Sequence, residues 1–336
     1  MNTAASAYRK ILFILLAALS VPFFADVSPE REDRKWPKAG FSEIWGYVYD
    51  VEAPSFSAPP AVSDIGFFGA GLSLSGRLTG VPVRSAIKDF PGRVHLVVAE
   101  VTNRALTHLC LDPSLPLRSK LIADCVAAAK PYDGLQIDFE MVLPEDDEWF
   151  FSFLQELKRG IGKKTLSVAI PARTRKLSRD AYDYARLSLV ADRVLVMAYD
   201  EHWSGSKPGP IATLEWGRKV SLWALERFGD EKLVMGLPFY GRAWADVNPA
   251  KAYRFSTLRS VMEEKSVSGV ERLDGIPTFT YTQDVFVTVF FEDWLSAYSR
   301  ARLYRDEGVK KIGFWKLGQE DPLVWDRLSL ERPVRR

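Results

Sequence analysis

Short apolar runs alternate along the chain with longer segments whose apolar residues recur every three or four positions. From Ile44 onward, eight of the short runs have the length and β-branched content of buried strands. Their sequences are IWGYVYD, VSDIGFFGA, RVHLVVAEV, GLQIDFE, TLSVAIPA, RVLVMAYD, KLVMGLPFYG and KKIGFWKL. Continuous apolar stretches of this kind are typical of parallel strands that are covered on both faces.

The longer segments predict amphipathic helices between the strands. In EDDEWFFSFLQELKRGIG, acids open the segment and Lys158 and Arg159 close it, which the helix dipole favours. Similar patterns occur in LEWGRKVSLWALERFG and WLSAYSRARLYRDEG, and each ends at a glycine. Eight strands with intervening helices predict an α/β fold, a (β/α)8 TIM barrel over residues 44–330.

One predicted connection is too long for a simple loop. Between strand seven and helix seven lie about 45 residues rich in Ser, Gly, Thr and Tyr, well beyond the usual length of a βα loop. We therefore predict a small α+β insertion over residues 245–288, placed at the C-terminal face of the barrel.

The N-terminus has the layout of a secretory signal. Arg9 and Lys10 precede the apolar run ILFILLAALSVPFFA, which is too short to span a bilayer comfortably. Cleavage could follow Ala25 or Ser20, and an uncleaved anchor is the alternative. We predict a signal peptide over residues 1–25 and export to the periplasm, the cell envelope or the medium.

The charge balance excludes one class of partner. The chain carries 45 basic and 43 acidic residues, and the first 25 residues contain Arg9, Lys10 and no acid. The remainder is therefore balanced at 43 against 43. A neutral body gives no electrostatic reason to bind nucleic acid, so we expect no nucleic-acid partner.

The histidines and cysteines show no cofactor pattern. His95, His108 and His202 lack metal-ligand spacing, so we expect no metal and no other cofactor. An exported chain allows a disulfide between Cys110 and Cys125. The apolar pattern around Cys125 favours a small buried thiol instead.

Polar and aromatic side chains gather at the predicted strand ends. In strand four, Gln136, Asp138 and Glu140 alternate with apolar residues and would point into the barrel. An inward Glu140 beside a second acid would have a raised pKa and could act as a general acid. The alternative is that both acids merely pair with inward basic residues. The later strand ends carry Tyr199, Asp200, Tyr240, Arg242 and Trp315. Together these residues would form a sugar-binding cleft at the C-terminal mouth.

Four of these segments resemble one enzyme family. DGLQIDFE resembles the DGxDxDxE signature of glycoside hydrolase family 18, the chitinases and their relatives. MAYD, which begins at Met197, is similar to the strand-six MxYD of that family, and GLPFYGR is similar to its GxPxYGR. GFWKLGQED resembles the strand-eight segment with its tryptophan. The phrases YDEHW and LGQED resemble the bacterial branch of spore-cortex-lytic N-acetylglucosaminidases most closely.

The resemblance implies a retaining glycosidase in which the substrate supplies the nucleophile. Glu140 would protonate the glycosidic oxygen, Asp138 would orient the acetamide group and Tyr199 would hold the acetamide oxygen. These three are the predicted catalytic residues. The predicted substrate-binding residues are Gln136, Met197, Asp200, Tyr240, Arg242 and Trp315.

This chain departs from the family pattern at strand three, which lacks SxGG, and at residue 136, where most chitinases carry Asp. A neutral amide at Gln136 cannot take up a proton, but its NH₂ group could donate a hydrogen bond to Asp138. We therefore expect Asp138 to stay ionised throughout, so that Glu140 has one fixed negative neighbour.

The expected partner is a polysaccharide or oligosaccharide that contains N-acetylglucosamine. Peptidoglycan comes first, chitin or chito-oligosaccharides second, and an enzyme that releases N-glycans would have the same site. We expect a monomer. The rival hypothesis is a catalytically weak or inactive lectin-like barrel that binds amino-sugar glycans. Such relatives typically lose the proton-donor Glu, whereas this chain keeps Glu140.

Overall fold

The computed structural model describes residues 36–245, 251–282 and 286–332. The predicted signal peptide, residues 1–25, lies outside these ranges. The strands are β1 (Ala39–Phe41), β2 (Glu43–Tyr49), β3 (Asp64–Leu72), β4 (Leu78–Thr79), β5 (Arg93–Glu100), β6 (Gly134–Phe139), β7 (Thr165–Pro171), β8 (Arg193–Met197), β9 (Leu233–Pro238), β10 (Gly241–Ala245), β11 (Lys251–Tyr253), β12 (Glu271–Leu273), β13 (Ile276–Thr282), β14 (Phe286–Phe290), β15 (Lys311–Trp315) and β16 (Leu328–Leu330).

The helices are α1 (Arg104–Leu111), α2 (Pro116–Ala128), α3 (Asp147–Ile161), α4 (Tyr184–Val190), α5 (Leu214–Lys232), α6 (Phe255–Glu264) and α7 (Trp294–Asp306). Short 3₁₀ helices lie at Asp50–Ser55, Arg84–Ile87, Pro144–Asp146 and Pro322–Arg327. No helix among the described residues is both long and apolar enough to cross a membrane.

Eight parallel strands close into a barrel in the order β2, β3, β5, β6, β7, β8, β9 and β15, and β15 pairs back onto β2. The predicted (β/α)8 TIM barrel with an insertion is therefore confirmed. The eight strands are those that the apolar runs predict, with ends that differ by a few residues.

Helix α3 is the clearest case of an amphipathic helix, because its apolar residues share one face. In α3 the first turn carries Asp147 and Glu148, and the last turn carries Lys158 and Arg159. Gly162 follows with φ of 63°, a left-handed conformation that glycine adopts at no steric cost. The buried face of α3 consists of Phe150, Phe153, Leu154, Leu157 and Ile161.

The two sides of β6 have different surroundings. Leu135, Ile137 and Phe139 point outward and are fully buried beneath the helices, with the Phe139 ring 5.8 Å from that of Phe153 on α3. The barrel interior is filled by a cluster of large side chains. That cluster comprises Trp45, Tyr47, Phe68, Val97, Ala169, Leu195 and Val234.

Two boundaries differ from the prediction. Regular structure begins before residue 44, because β1 pairs in parallel with β16 outside the barrel. The insertion sheet also uses residues on both sides of the predicted range 245–288. Its five strands have the order β11, β10, β14, β13, β12, so the sheet runs from Gly241 to Phe290.

The insertion packs against the barrel mouth through apolar side chains. One cluster joins Ile211, Tyr240, Trp244, Ile276 and Phe290, and Tyr199 and Trp315 pack against it. On the other side, α6 covers the sheet through Leu258. The insertion therefore builds one wall of any cleft at the mouth.

Candidate active site

An open cleft lies at the C-terminal ends of the barrel strands, beside the insertion. Its volume of about 200 Å³ is below the about 300–1,000 Å³ of pockets for drug-sized ligands, and it leaves room for a single sugar ring. The lining residues are Asp138, Glu140, Met197, Tyr199, Asp200, Tyr240, Arg242, Ala252, Trp315 and Gln319. The structure therefore brings together every predicted site residue except Gln136, and the roles of these residues remain predictions.

Asp138 occupies the last inward position of β6 and is 5% exposed. Its Oδ1 atom has no hydrogen-bond partner among the described residues. Burial, in first place, and the negative charge of Glu140 raise the pKa of Asp138 to about 8, because both disfavour the ionised form. The burial of Asp138 therefore favours its protonated form.

Glu140 comes directly after β6 and opens into the cleft with an exposed side chain. Its backbone N–H donates to the Glu100 carbonyl at 3.0 Å. The alternation of inward and outward side chains along β6 therefore continues for one more residue. The surrounding protein, and then the charge of Asp200, raise the pKa of Glu140. A carboxyl group at the mouth with a raised pKa can donate a proton to a leaving group.

Gln136 does not hold Asp138, contrary to the expectation from the sequence. It is 1% exposed, lies below the cleft, and donates from Nε2 to Ser167 Oγ at 3.2 Å. Ser167 is its register partner on β7. The raised pKa of Asp138 disfavours the ionised form that the sequence analysis expects, because the amide donor binds Ser167 and burial dominates the pKa of Asp138. The position of Gln136 also gives no support to a direct role in substrate binding.

Asp200 is fixed by Tyr240, which follows β9, and by Arg242 on β10. It accepts a hydrogen bond from Tyr240 Oη at 2.5 Å, and Arg242 Nη2 lies 2.8 Å from each of its carboxylate oxygens. Asp200 also has φ of 59°, a left-handed conformation that costs free energy in a non-glycine residue and persists only where its surroundings impose it. A strained, doubly held carboxylate at a cleft is typical of a binding site.

Trp315 forms the floor of the cleft. Its indole ring packs edge-on against Phe68 at 4.9 Å and lies 5.6 Å from Tyr47 and 5.9 Å from Tyr49. The peptide bond between Trp315 and Lys316 is cis. An aromatic floor of this kind suits the apolar face of a sugar ring.

Tyr199 supplies a hydroxyl group near the carboxyl pair. Burial, and then the neighbouring Tyr240, raise the pKa of Tyr199 well above its usual value. Tyr199 therefore keeps its proton and remains a hydrogen-bond donor. Its ring lies edge-on to that of Tyr240 at 6.3 Å.

Tyr182 has a role that the sequence analysis missed. Its hydroxyl donates to the Phe139 carbonyl at 2.6 Å and accepts from the Val142 N–H at 3.2 Å. These two bonds hold the backbone on both sides of Glu140. Tyr182 lies in the long loop between β7 and α4, where no periodic pattern marks it as functional.

Gln319 and Ala252 also line the cleft and were not predicted. Gln319 Oε1 is buried without a hydrogen-bond partner among the described residues, and its backbone carbonyl accepts from the Phe255 N–H at 3.0 Å. Gln319 therefore joins the end of strand eight to the insertion. Gln319 belongs to the segment LGQED, but the sequence does not predict that it lines the cleft, because that depends on how the insertion folds.

The described residues contain no group of three or more His, Cys, Asp and Glu side chains arranged to hold a metal ion. Cys110 and Cys125 are both buried free thiols. Burial raises the pKa of Cys110 to about 11 and that of Cys125 to about 12, so both stay protonated near neutral pH.

A (β/α)8 barrel with an aromatic-floored cleft and two protonatable carboxyl groups at its C-terminal mouth has the features of a glycoside-cleaving enzyme. The sequence pattern that defines glycosyl hydrolases family 18 matches residues 115–320, more than half of the chain. The chain therefore belongs to glycosyl hydrolases family 18 and is a glycosidase.

Curated relatives include bacterial glycosylases. The chain is 28% identical to the uncharacterized glycosylase YvbX of Bacillus subtilis over 251 residues, 71% of this chain and 70% of YvbX. It is 29% identical to the cortical fragment-lytic enzyme of Bacillus anthracis over 232 residues. That match covers 64% of this chain but only 53% of the relative.

Solved structures share the fold at lower identity. The spore cortex-lytic enzyme SleL of Bacillus cereus superposes with a TM-score of 0.78 and 23% identity, covering 89% of this chain and 76% of SleL. A chitinase from Chromobacterium violaceum superposes with a TM-score of 0.74 and 22% identity, covering 85% and 97%.

Removing the hydroxyl of Tyr182 should misplace Glu140. We expect Tyr182→Phe to lower kcat about tenfold, because the backbone on both sides of Glu140 loses the hydroxyl that bonds it. Tyr184→Phe is the matched control, since that buried hydroxyl donates to the Pro171 carbonyl at 2.8 Å, away from Glu140. Steady-state kinetics and urea unfolding of both variants test this. Equal losses of kcat in the two variants would reject a positioning role.

The raised pKa of Asp138 also predicts a pH-dependent stability. Unfolding moves the pKa of Asp138 from about 8 towards 3.8, so the folded state binds the extra proton between these values. The contribution of this group to stability therefore falls as pH rises from about 4 to about 8.

The Asp138→Asn variant cannot ionise at this position, so it should not lose stability in this way as pH rises. Its free energy of unfolding should exceed that of the wild type by on the order of a few kcal/mol at about pH 8 and match it at about pH 4. Urea unfolding at both pH values measures the difference, with the exposed Asp326→Asn as control. A difference that is constant with pH would contradict the assignment.

Proposed function

We propose that this glycosidase cleaves β-1,4 bonds on the reducing side of N-acetylglucosamine residues by substrate-assisted, retaining catalysis. One observation carries the proposal. Of the three carboxyl groups that line the cleft, only Glu140 is exposed and available for proton transfer. Asp138 is buried, and Asp200 is held by Tyr240 and Arg242. Neither is placed as a free nucleophile, so the substrate's acetamide group supplies one.

The first step forms an oxazolinium ion. The acetamide carbonyl oxygen attacks the anomeric carbon while the glycosidic C–O bond breaks and Glu140 gives its proton to the leaving oxygen. In the second step Glu140 takes a proton from water, and that water adds to the anomeric carbon. The acetamide is regenerated, and retention follows from two inversions. An internal nucleophile held close to the anomeric carbon gains the rate advantage of proximity.

Asp138 stabilises the intermediate in its ionised form. The acetamide N–H becomes positively charged as the ring closes, and a carboxylate beneath it accepts that hydrogen bond. In the productive state, one proton is on Glu140 and none is on Asp138. The charge of Glu140 contributes to the raised pKa of Asp138, so the protonation states of the two carboxyl groups depend on each other.

Peptidoglycan is the substrate that we favour. The relatives named as cortical fragment-lytic and spore cortex-lytic enzymes support it, whereas the likeness to chitinases supports chitin-type glycans as the second choice. The small cleft holds one sugar ring, so the neighbouring surfaces would bind the rest of the glycan.

The decisive experiment incubates the full chain and its Glu140→Gln variant with peptidoglycan, chito-oligosaccharides and a chito-oligosaccharide that is chemically de-N-acetylated. We expect the wild type to release fragments with N-acetylglucosamine at the new reducing end and the variant to release none. The de-N-acetylated glycan should stay intact, since it lacks the nucleophile. Its cleavage at an equal rate would contradict substrate assistance, and binding without cleavage of any glycan would favour the lectin-like alternative.

We further propose that the chain is exported through residues 1–25. The basic start and short apolar core of that segment support this, as do relatives that act on the spore cortex by name. Mass spectrometry of protein recovered outside the cytoplasm should show a mature N-terminus near Asp26. Recovery of the intact chain from the cytosol alone would contradict export.

A further inference from the structure

A second cavity has Tyr182 in its lining. It has a volume of about 490 Å³ and lies between the loop 172–183, the segment before α3, and α5. Tyr182 lines this cavity, while its hydroxyl bonds the backbone on both sides of Glu140. A group bound there would therefore lie beside the loop that carries the proton donor.

The lining of this cavity is strongly basic. Five of its residues are cations: Arg173, Arg175, Lys176, Arg179 and Arg227. The rest of the chain gives no reason to expect such a surplus, because acids and bases balance after the first 25 residues. We call this cavity, with its five cations, the basic cavity.

The carboxylates of the basic cavity are already occupied. Asp180 accepts from Arg173 at 2.8 and 3.1 Å and from the Tyr182 N–H at 3.1 Å. Asp183 caps α4 by accepting from the Arg186 N–H at 3.0 Å. Asp147 lies 3.6 Å from the guanidinium of Arg186. Asp180 is thus paired with Arg173, and the five cations against three acids leave the lining with a net positive charge.

Arg175 and Lys176 are exposed and make no ion pair with a described residue. Arg179 has one long contact of 3.5 Å to Glu145, and both side chains are mostly exposed, so that pair contributes little. Three cations at one edge of a cavity are therefore available to an incoming anion.

Arg227 gives the opposite wall a fixed shape. Its guanidinium lies over the Trp223 ring, donates to the Trp223 carbonyl at 3.0 Å and pairs with Glu226 at 2.9 Å. A stacked guanidinium loses little freedom on binding and presents planar donors that match a carboxylate. The basic cavity thus combines one stacked cationic wall with an exposed cationic edge.

We propose that the basic cavity is an accessory subsite that binds the peptide carboxylates of peptidoglycan while the glycan occupies the cleft. This inference rests on the proposed function and narrows its substrate. Chitin is neutral and would gain nothing from the cations, whereas the peptide stems of peptidoglycan carry several carboxylates. The subsite therefore gives the enzyme a preference for peptide-substituted glycan over chitin.

Binding to the Glu140→Gln variant tests the subsite without turnover. The probes are a soluble disaccharide-peptide with free carboxylates, the same compound with amidated carboxylates, and chitotetraose. We expect amidation to weaken binding about three- to tenfold, as for two or three exposed ion pairs. The Arg175→Ala/Lys176→Ala double change in this variant should reduce that difference, because it removes two of the three cations that are available at the edge of the cavity. Chitotetraose should bind all proteins equally.

Lys130→Ala/Lys163→Ala is the matched control. Both lysines are exposed and precede barrel strands, at the opposite end of the barrel, so this pair removes the same charge without touching the basic cavity. The control should keep the full preference for free carboxylates, and added salt should reduce that preference. Equal affinity for the free and amidated peptides, or no binding of either, would overturn the subsite.

Parallel turnover assays with intact Glu140 separate this failure from failure of the proposed function. Cleavage of peptidoglycan with no effect of amidation would overturn the subsite alone. Selective binding of the free carboxylates without cleavage of any glycan would leave the subsite standing and overturn the proposed function.

Discussion

The closure of eight parallel strands into a barrel is the constraint on which the site depends. Once β15 pairs with β2, every second residue of β6 must point into a space without bulk water. Asp138 is buried for that reason and not because of any local feature of its own. The same alternation carries Glu140 one step further, to the mouth, where water and substrate can reach it. Two carboxyl groups only two residues apart thus have different environments, which is what an acid and its counter-charge require.

The pKa values of buried acids shift in opposite directions at the two ends of the barrel. At the N-terminal end, burial would raise the pKa of Glu43, but the hydrogen bond from Arg193 and the charges of Arg93 and Arg193 outweigh it and lower the pKa to about 2. At the mouth, Asp138 has no cationic partner and a second acid nearby, and its pKa rises to about 8. Burial is common to both, so the partners decide the direction of the shift. A buried acid that is paired with arginines stabilises the fold. A buried acid without a cationic partner has a raised pKa, and such acids are typical of functional sites.

The sequence predicts the barrel and most of the site because both follow from local periodicity. Apolar runs mark the strands, and polar residues at the ends of parallel strands must converge, so Glu140, Tyr199 and Trp315 can be placed without coordinates. Contacts between strands are different. The hydrogen bond of Gln136 to Ser167 depends on the register of β6 against β7, which no pattern within either strand reveals. Tyr182 is hidden for a similar reason, since it comes from an irregular loop.

The amide at residue 136 is consistent with a neutral interior beneath the cleft. Tyr47 Oη, Gln136 Oε1 and Asp138 Oδ1 are all buried without hydrogen-bond partners among the described residues. An ionised Asp138 would add a charge to this polar but unpaired region, at a high cost in free energy. A protonated Asp138 avoids that charge. In the proposed mechanism, the charge develops only when an acetamide N–H arrives to balance it, so that the interaction would be strongest in the transition state.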